Sequence, residues 1–329
     1  MKEKLLITGG TGFVAFHIIE EALKQGYEVH VSTRPSSSTA HLKAFNLQYI
    51  SINFADTKAI KDQLEAGQYD YIIHSAGTTR ASNQQEYNQV NAEYTFNLAQ
   101  AANASNIPLK KFVFVSSLAA VGPVSIKDVI DENTTLNPVT EYGKSKLLAE
   151  KMLAEIKDLP LITVRPTAVY GPREKDIFIV LKTITRGLEP YIGSNPQELS
   201  FVYVKDLAKL LVNVLHAPVN NKAYNVSDGL VYDKFQLASI TKKITGKKTL
   251  RLQLPVLVIK LVAGLLDATS SITKKTHALN RDKIKELTAS WNCNIDAAKS
   301  DLNFLPAYDL QTGLRETLQW YKDNNWIRY

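Results

Sequence analysis

A single cysteine, Cys293, stands among the 329 residues, so the chain forms no disulfide within itself. That suits a reducing compartment. The six histidines and this cysteine never fall at metal-ligand spacing, and no metal site is expected. Long apolar runs are missing as well. The most apolar stretch, Leu252–Leu266, is broken or flanked by Arg251, Lys260 and Asp267, well short of the ~20 residues that a membrane span requires. It predicts a helix buried in the protein, the alternative being a helix lying in a lipid interface. No repeat of fixed period and no low-complexity tract occurs, and the 15 tyrosines form no stripe for stacking on bases. Nucleic acid is therefore not an expected partner. The opening MKEKLLITGG runs from charge straight into an apolar segment and a glycine turn, leaving no room for a secretory signal. The cytoplasm is the expected location.

What is present is a globular composition, 45% hydrophobic and 22% charged, on a chain long enough for one large core or two unequal domains. The net charge of +7 is unevenly placed. Residues 220–290 carry thirteen Lys/Arg against five Asp/Glu, while the rest of the chain has 26 against 27. A solvated lysine-rich surface explains the excess most simply; attraction of an anionic substrate or an anionic membrane are the functional alternatives.

The N-terminal half alternates β-rich runs with amphipathic segments. Lys4–Thr8, Glu28–Thr33, Leu47–Ile52, Tyr71–Ser75, Lys111–Ser116 and Leu161–Arg165 read as buried strands. Val14–Gln25, Asp56–Glu65, Val90–Ala104 and Tyr142–Glu155 read as the helices between them. Strands joined by helices of this size predict an α/β fold with a doubly wound parallel sheet. After Arg165 the rhythm breaks into a stretch rich in proline and glycine. Phe201–Ala217 then reads as a strand leading into a helix, Ala223–Ser227 as one more strand, and Leu310–Tyr321 as a closing surface helix. The expected division is a dinucleotide-binding Rossmann domain over residues 1–166, with 201–226 returning to it. A smaller, mostly helical substrate domain is expected from 167–200 and 227–329.

Thr8-Gly9-Gly10-Thr11-Gly12-Phe13-Val14-Ala15 follows the first strand and opens the first helix. In that context Gly9 permits the tight turn, Gly12 admits a pyrophosphate close to the backbone, and Ala15 lets the helix pack tightly on the sheet. The acidic residue that accepts from the ribose hydroxyls in NAD sites is missing at the end of the second strand. Thr33 takes its place and Arg34 follows. A guanidinium pairs bidentately with phosphate, so NADP is the expected cofactor, with NAD as the alternative and a plain surface arginine as the bland reading.

Tyr142-Gly143-Lys144-Ser145-Lys146 puts Tyr142 and Lys146 four residues apart on one helical face. Tyrosine with its ordinary pKa of ~10 is a poor base at neutral pH. A neighbouring ammonium favours the phenolate and is expected to draw that value down. Ser116 and Ser117 end the strand just before this helix, where ligands sit in open α/β sheets. Alone, the tyrosine–lysine spacing is common and reads as a surface pair.

Taken with Thr8–Ala15, the ordered landmarks His74–Gly77, Val90-Asn91, Val115–Ser117, Tyr142–Lys146, Arg165-Pro166, Tyr170–Pro172, Val204–Ala208 and Tyr224–Val226 resemble the extended short-chain dehydrogenase/reductases. Within these, the likeness is to the NAD-dependent epimerase/dehydratase group. That resemblance implies Ser117 as catalytic serine, Tyr142 as general acid/base and Lys146 as its partner. For the cofactor it implies Gly9, Gly12, Phe13, Val14, Thr33, Arg34, Asn53, Phe54, Ser75, Ala76, Gly77, Asn91, Tyr142, Lys146, Pro166 and Thr167. Asn91 reads equally as a helix cap, Ser116 as a strand-end hydrogen bonder, and His74 as a packed residue rather than a base.

The departures narrow the reaction. Asn53 stands where many relatives carry an adenine-contacting aspartate, and Thr167 where many nucleotide-sugar enzymes carry asparagine. Leu118 and Ala119 replace the acidic pair of sugar-nucleotide dehydratases, which argues against 4,6-dehydration. The expectation is a net oxidoreductase acting on a secondary alcohol or ketone, resembling the 3β-hydroxysteroid dehydrogenase and dihydroflavonol reductase branch. A nucleotide-sugar epimerase with retained cofactor is the main alternative, and a non-enzymatic NADP-binding regulator the lesser one. Relatives of this kind often dimerise through two Rossmann helices, here Val90–Ala104 and Tyr142–Glu155, so a homodimer is possible.

Overall fold

The computed structural model describes residues 2–259 and 281–329. Six strands, β1 (Lys4–Thr8), β2 (Glu28–Ser32), β3 (Gln48–Ile50), β4 (Tyr71–His74), β5 (Lys111–Val115) and β6 (Leu161–Pro166), form a parallel sheet. The short strands β7 (Ala168–Tyr170), β8 (Leu188–Ile192), β9 (Glu198–Leu199) and β10 (Phe201–Tyr203) follow outside it. Then β11 (Lys222–Val226) rejoins the sheet, giving the order β11-β6-β5-β4-β1-β2-β3. β12 (Tyr232–Asp233) pairs with β9, and β13 (Leu250–Leu254) with β8.

The central strands are apolar on both faces because both faces are covered. Leu5 and Ile7 of β1 enter one core with α1 (Phe13–Lys24) and the later helix Val204–Asn213. Leu6, between them, joins the other core with α2 (Thr57–Gly67), Tyr94–Ala104 and Glu141–Ala154. That alternation is the two-residue period of a strand. Side chains such as Ile18, Ile72 and Phe112 are fully buried, each contributing roughly 1.5–3 kcal/mol of transfer free energy. Strand order reverses between β1 and β4, which opens a crevice at the carboxyl ends of the strands.

Differences from expectation have local causes. β3 is an edge strand paired only to β2, and it shrinks to three residues. The expected helix Val90–Ala104 is instead the short helix α3 (Gln84–Asn88), a π-helical segment Gln89–Glu93, and α4 (Tyr94–Ala104). Next come α5 (Glu141–Ala154) and α6 (Asp176–Thr185). α6 lies inside the stretch read as loop-rich. Pro172 and Gly187 disguise its apolar spacing, and the Glu174 carboxylate starts it by accepting the N–H groups of Asp176, Ile177 and Phe178 at 2.6, 2.6 and 3.1 Å. α7 (Val204–Asn213) and α8 (Gln236–Thr245) follow. A third core cluster, around Tyr170, Leu181, Tyr203, Leu314 and Tyr321, joins this region to the closing helix Leu310–Asp323. The apolar stretch Leu252–Leu266 begins as the end of β13, and its part beyond Ile259 lies outside the described residues. Among the described residues no helix is long and apolar enough to cross a membrane.

Candidate active site

The β1–α1 turn is built to approach a ligand. Gly9 has φ +72°, and a Cβ there would lie 2.7 Å from the Ala76 Cα, so the loop after β4 presses directly on this turn. Gly12 caps α1 without any side-chain hydrogen bond. The first-turn N–H groups are thereby left to a bound anion. A cavity of about 460 Å³ runs along the crevice. Its lining includes Gly9, Gly12, Thr33, Arg34, Phe54 and the loop Ser75–Gly77. Arg34 is exposed beside it, and its side chain makes no hydrogen bond or ion pair among the described residues.

Several of the expected cofactor residues are not in the lining of this cavity. Phe13 and Val14 sit in the first turn of α1, outside the cavity lining. Asn53 folds back on its own turn, its Oδ1 accepting from Ala55 N at 3.2 Å, while Ile52 and Phe54 line the cavity in its stead. Pro166 and Thr167 end β6. The Thr167 hydroxyl is buried with no partner among the described residues, a polar atom left for a ligand or water to satisfy. Together the uncapped helix, the close glycine turn and the orphaned hydroxyl fit a dinucleotide. Sequence reasoning missed Thr11, Thr78 and Arg80, which also line the cavity. Arg80 forms an ion pair with Asp176 at the start of α6.

The catalytic candidates come from two elements. Ser117 follows β5 and caps the turn Leu118–Ala120 through Ala119 N at 3.2 Å. Tyr142 and Lys146 sit on the first turns of α5, which Thr140 caps through Gly143 N at 3.0 Å. A Cβ at Gly143 would stand 2.3 Å from the Ala119 carbonyl. Only glycine lets α5 press onto the Ser117 turn, and that contact brings the serine to the tyrosine. The Ser117 hydroxyl acts on the Tyr142 phenol, favouring its ionised form.

Burial raises the Tyr142 phenol to about 12, with Ser117 opposing the rise. This reverses the expected fall. The Lys146 ammonium is spent on the Val115 carbonyl at 2.9 Å and lies 4.7 Å from the centre of the Phe114 ring. Burial lowers Lys146 itself to about 8, opposed by Glu150. A Cβ at Gly77 would be 3.5 Å from Lys146 Nζ, so the lysine stands where the dinucleotide crevice meets the catalytic residues.

A continuous hydrogen-bond chain ties crevice to tyrosine. Ala76 N donates to Thr8 Oγ1 at 3.2 Å, and Thr8 Oγ1 lies 2.8 Å from His74 Nδ1. His74 Nε2 is 2.9 Å from Thr95 Oγ1, which donates to the Asn91 carbonyl at 2.8 Å. These partners fix a neutral His74 with its proton on Nε2. Burial agrees, pushing its pKa down to about 3. Asn91 is no helix cap. Within the π-helical segment its amide grips Thr78 N and O at 2.7 and 2.9 Å and reaches Ser145 Oγ at 3.0 Å. Ser145 in turn donates to the Tyr142 carbonyl at 2.7 Å. Beneath this, Glu150 accepts from Ser116 and takes Arg165 Nε at 3.1 Å in a buried ion pair. Spacing four residues from Lys146 was the only sequence signal for Glu150.

The NAD dependent epimerase/dehydratase family model matches residues 5–227, spanning the whole sheet. The chain belongs to that family of enzymes. Family members similar to it include UDP-glucose 4-epimerase of Vibrio cholerae, 27% identical over 99% of this chain and 97% of that one. Sterol-4-alpha-carboxylate 3-dehydrogenase (decarboxylating) of Candida albicans is 25% identical, covering 98% of both chains. The Bordetella bronchiseptica enzyme WbmG, solved in complex with NAD, shares the fold with a TM-score of 0.79 at 19% identity, over 99% and 96% of the two chains. The family thus holds both epimerases and dehydrogenases.

Proposed function

We propose that this family member is an NADPH-dependent oxidoreductase that interconverts a secondary alcohol and a ketone on an apolar substrate. The convergence of Ser117, Tyr142 and Lys146 at the mouth of the dinucleotide crevice carries the reading. A bound dinucleotide supplies or accepts the hydride. Ser117 orients the substrate oxygen, and Tyr142 exchanges a proton with it. A phenol raised to about 12 is protonated at neutral pH, the form that donates to a carbonyl oxygen in the reductive direction. Lys146 binds the ribose beside Gly77. Gly9, Gly12, Phe13 and Val14 hold the pyrophosphate, Ser75–Gly77 and Asn91 steady the crevice wall, and Pro166 and Thr167 flank the nicotinamide. Thr33 and Arg34 would take the 2′-phosphate, and Asn53 and Phe54 would lie toward the adenine. Residues 1–166 and 201–226 form the cofactor part, and 167–200 and 227–329 the substrate part.

A second reading, epimerisation with a retained cofactor, draws support from the similarity to UDP-glucose 4-epimerase and from the basic residues 220–290. Equilibrium titration of the purified protein with NADPH and NADH tests the proposal. It predicts tighter NADPH binding and protein that purifies without nicotinamide. Preference for NADH would overturn the cofactor assignment, and co-purified nicotinamide would favour the epimerase.

A further inference from the structure

The ribbon of β8 and β13 is built inside out. Its parallel register sets Leu188 beside Leu250, Pro190 beside Leu252 and Ile192 beside Leu254, and strand alternation gathers all six on one face. The other face is polar, turned inward along β8 and exposed at Arg251 and Gln253 of β13. There Glu189, almost fully buried, is held by Lys242 at 2.7 Å and by Tyr191 and Thr249 at 2.6 Å. On the apolar face Leu188 is 42% and Leu250 64% exposed, and Leu257 just beyond the ribbon is 69% exposed. Neither ribbon leucine enters any of the three core clusters.

Charge says what this face meets. Both strands begin at the same end, where exposed Arg186, Lys247 and Lys248 immediately precede the two exposed leucines in the chain. Leu250 N donates to Gly187 O at 2.8 Å, keeping these segments together. The sequence carries no carboxylate between Asp233 and Asp267, and Glu189 is already neutralised by Lys242 and Arg251. Exposed apolar side chains beside cations that make no ion pair among the described residues match an anionic lipid interface. At the far end of the ribbon Ile192 and Leu254 line a cavity of about 400 Å³ with Gln197 and Thr288. Gln197 donates to the Leu287 and Ala289 carbonyls at 2.9 Å, at the end of the helix Arg281–Leu287.

We propose that this face docks the enzyme on an anionic membrane. The proposal holds whichever reaction the site performs. Sedimentation of the full chain with phosphatidylcholine vesicles, with and without phosphatidylglycerol, tests it. Binding should require phosphatidylglycerol and weaken with salt. Lys247→Glu with Lys248→Glu should weaken it by at least about tenfold, given roughly fivefold per basic residue at such a surface. Leu188→Ser with Leu250→Ser should also reduce it, while NADPH binding reports an intact fold. Failure of the wild type to bind phosphatidylglycerol vesicles would overturn the proposal. So would unchanged vesicle binding in both variants, or a serine variant that only converts a dimer to a monomer. If a variant misfolds, the lipid and salt dependence of the wild type decides.

Discussion

Changing Lys146 to methionine removes a buried ammonium while keeping an unbranched stem. In the wild type the side chain is 4% exposed and donates to Val115 O at 2.9 Å. Burial lowers it from 10.5 to about 8. At ~1.4 kcal/mol per unit, holding this ammonium costs about 3 kcal/mol at neutral pH relative to an ordinary lysine. Between pH 8 and 10.5 the unfolded chain binds more protons than the folded one, so wild-type stability rises with pH in that window. The cost is present in full below the folded value and gone above the unfolded one. The methionine variant lacks this dependence. Urea unfolding of both proteins should show the wild type gaining on the variant by about 2.5 kcal/mol from about pH 7 to about pH 10. A difference that stays flat with pH would refute the buried-ammonium argument.

Other consequences follow from the same geometry. Arg34→Ala should weaken NADPH binding by about ten- to a hundredfold, as expected for a lost charge-assisted hydrogen bond, and leave NADH binding unchanged in the same fluorescence titration. Glu150→Gln leaves Arg165 buried without its counter-charge, and denaturant unfolding should register a loss of about 3–5 kcal/mol. Asn91→Ala severs the crevice loop from Ser145; turnover should fall while NADPH affinity changes by a smaller factor, measured as a split between kcat and KM. Turnover in the reductive direction should decline above about pH 8 as Lys146 loses its charge, and Lys146→Arg should remove that decline because guanidinium does not titrate there.

The sheet was legible because β1, β4 and β5 are unbroken apolar runs bounded by turns, a pattern that a doubly covered parallel strand imposes. Ser117, Tyr142 and Lys146 were readable as candidates because Ser117 ends an apolar strand and Tyr142 and Lys146 stand four apart at the start of a helix. The ribbon was not. Its partners β8 and β13 are about sixty residues apart, and pairing across that span leaves no local trace. The fate of Glu150 was equally hidden, since Arg165 reaches it from a neighbouring strand. The Tyr142 shift was misjudged for a related reason. Spacing put the lysine on the right face, but only the fold supplies Val115 O as the acceptor that occupies it.

The central claim is net redox chemistry through Tyr142. Purified wild type and Tyr142→Phe should be given NADPH with a panel of apolar ketones, and separately UDP-glucose, while the absorbance of reduced nicotinamide is followed. The wild type should consume NADPH with a ketone, and the phenylalanine variant should bind NADPH equally well but turn over about 10²–10⁴-fold more slowly. Interconversion of the UDP-sugar without net change in nicotinamide, or undiminished turnover in the variant, would contradict the account.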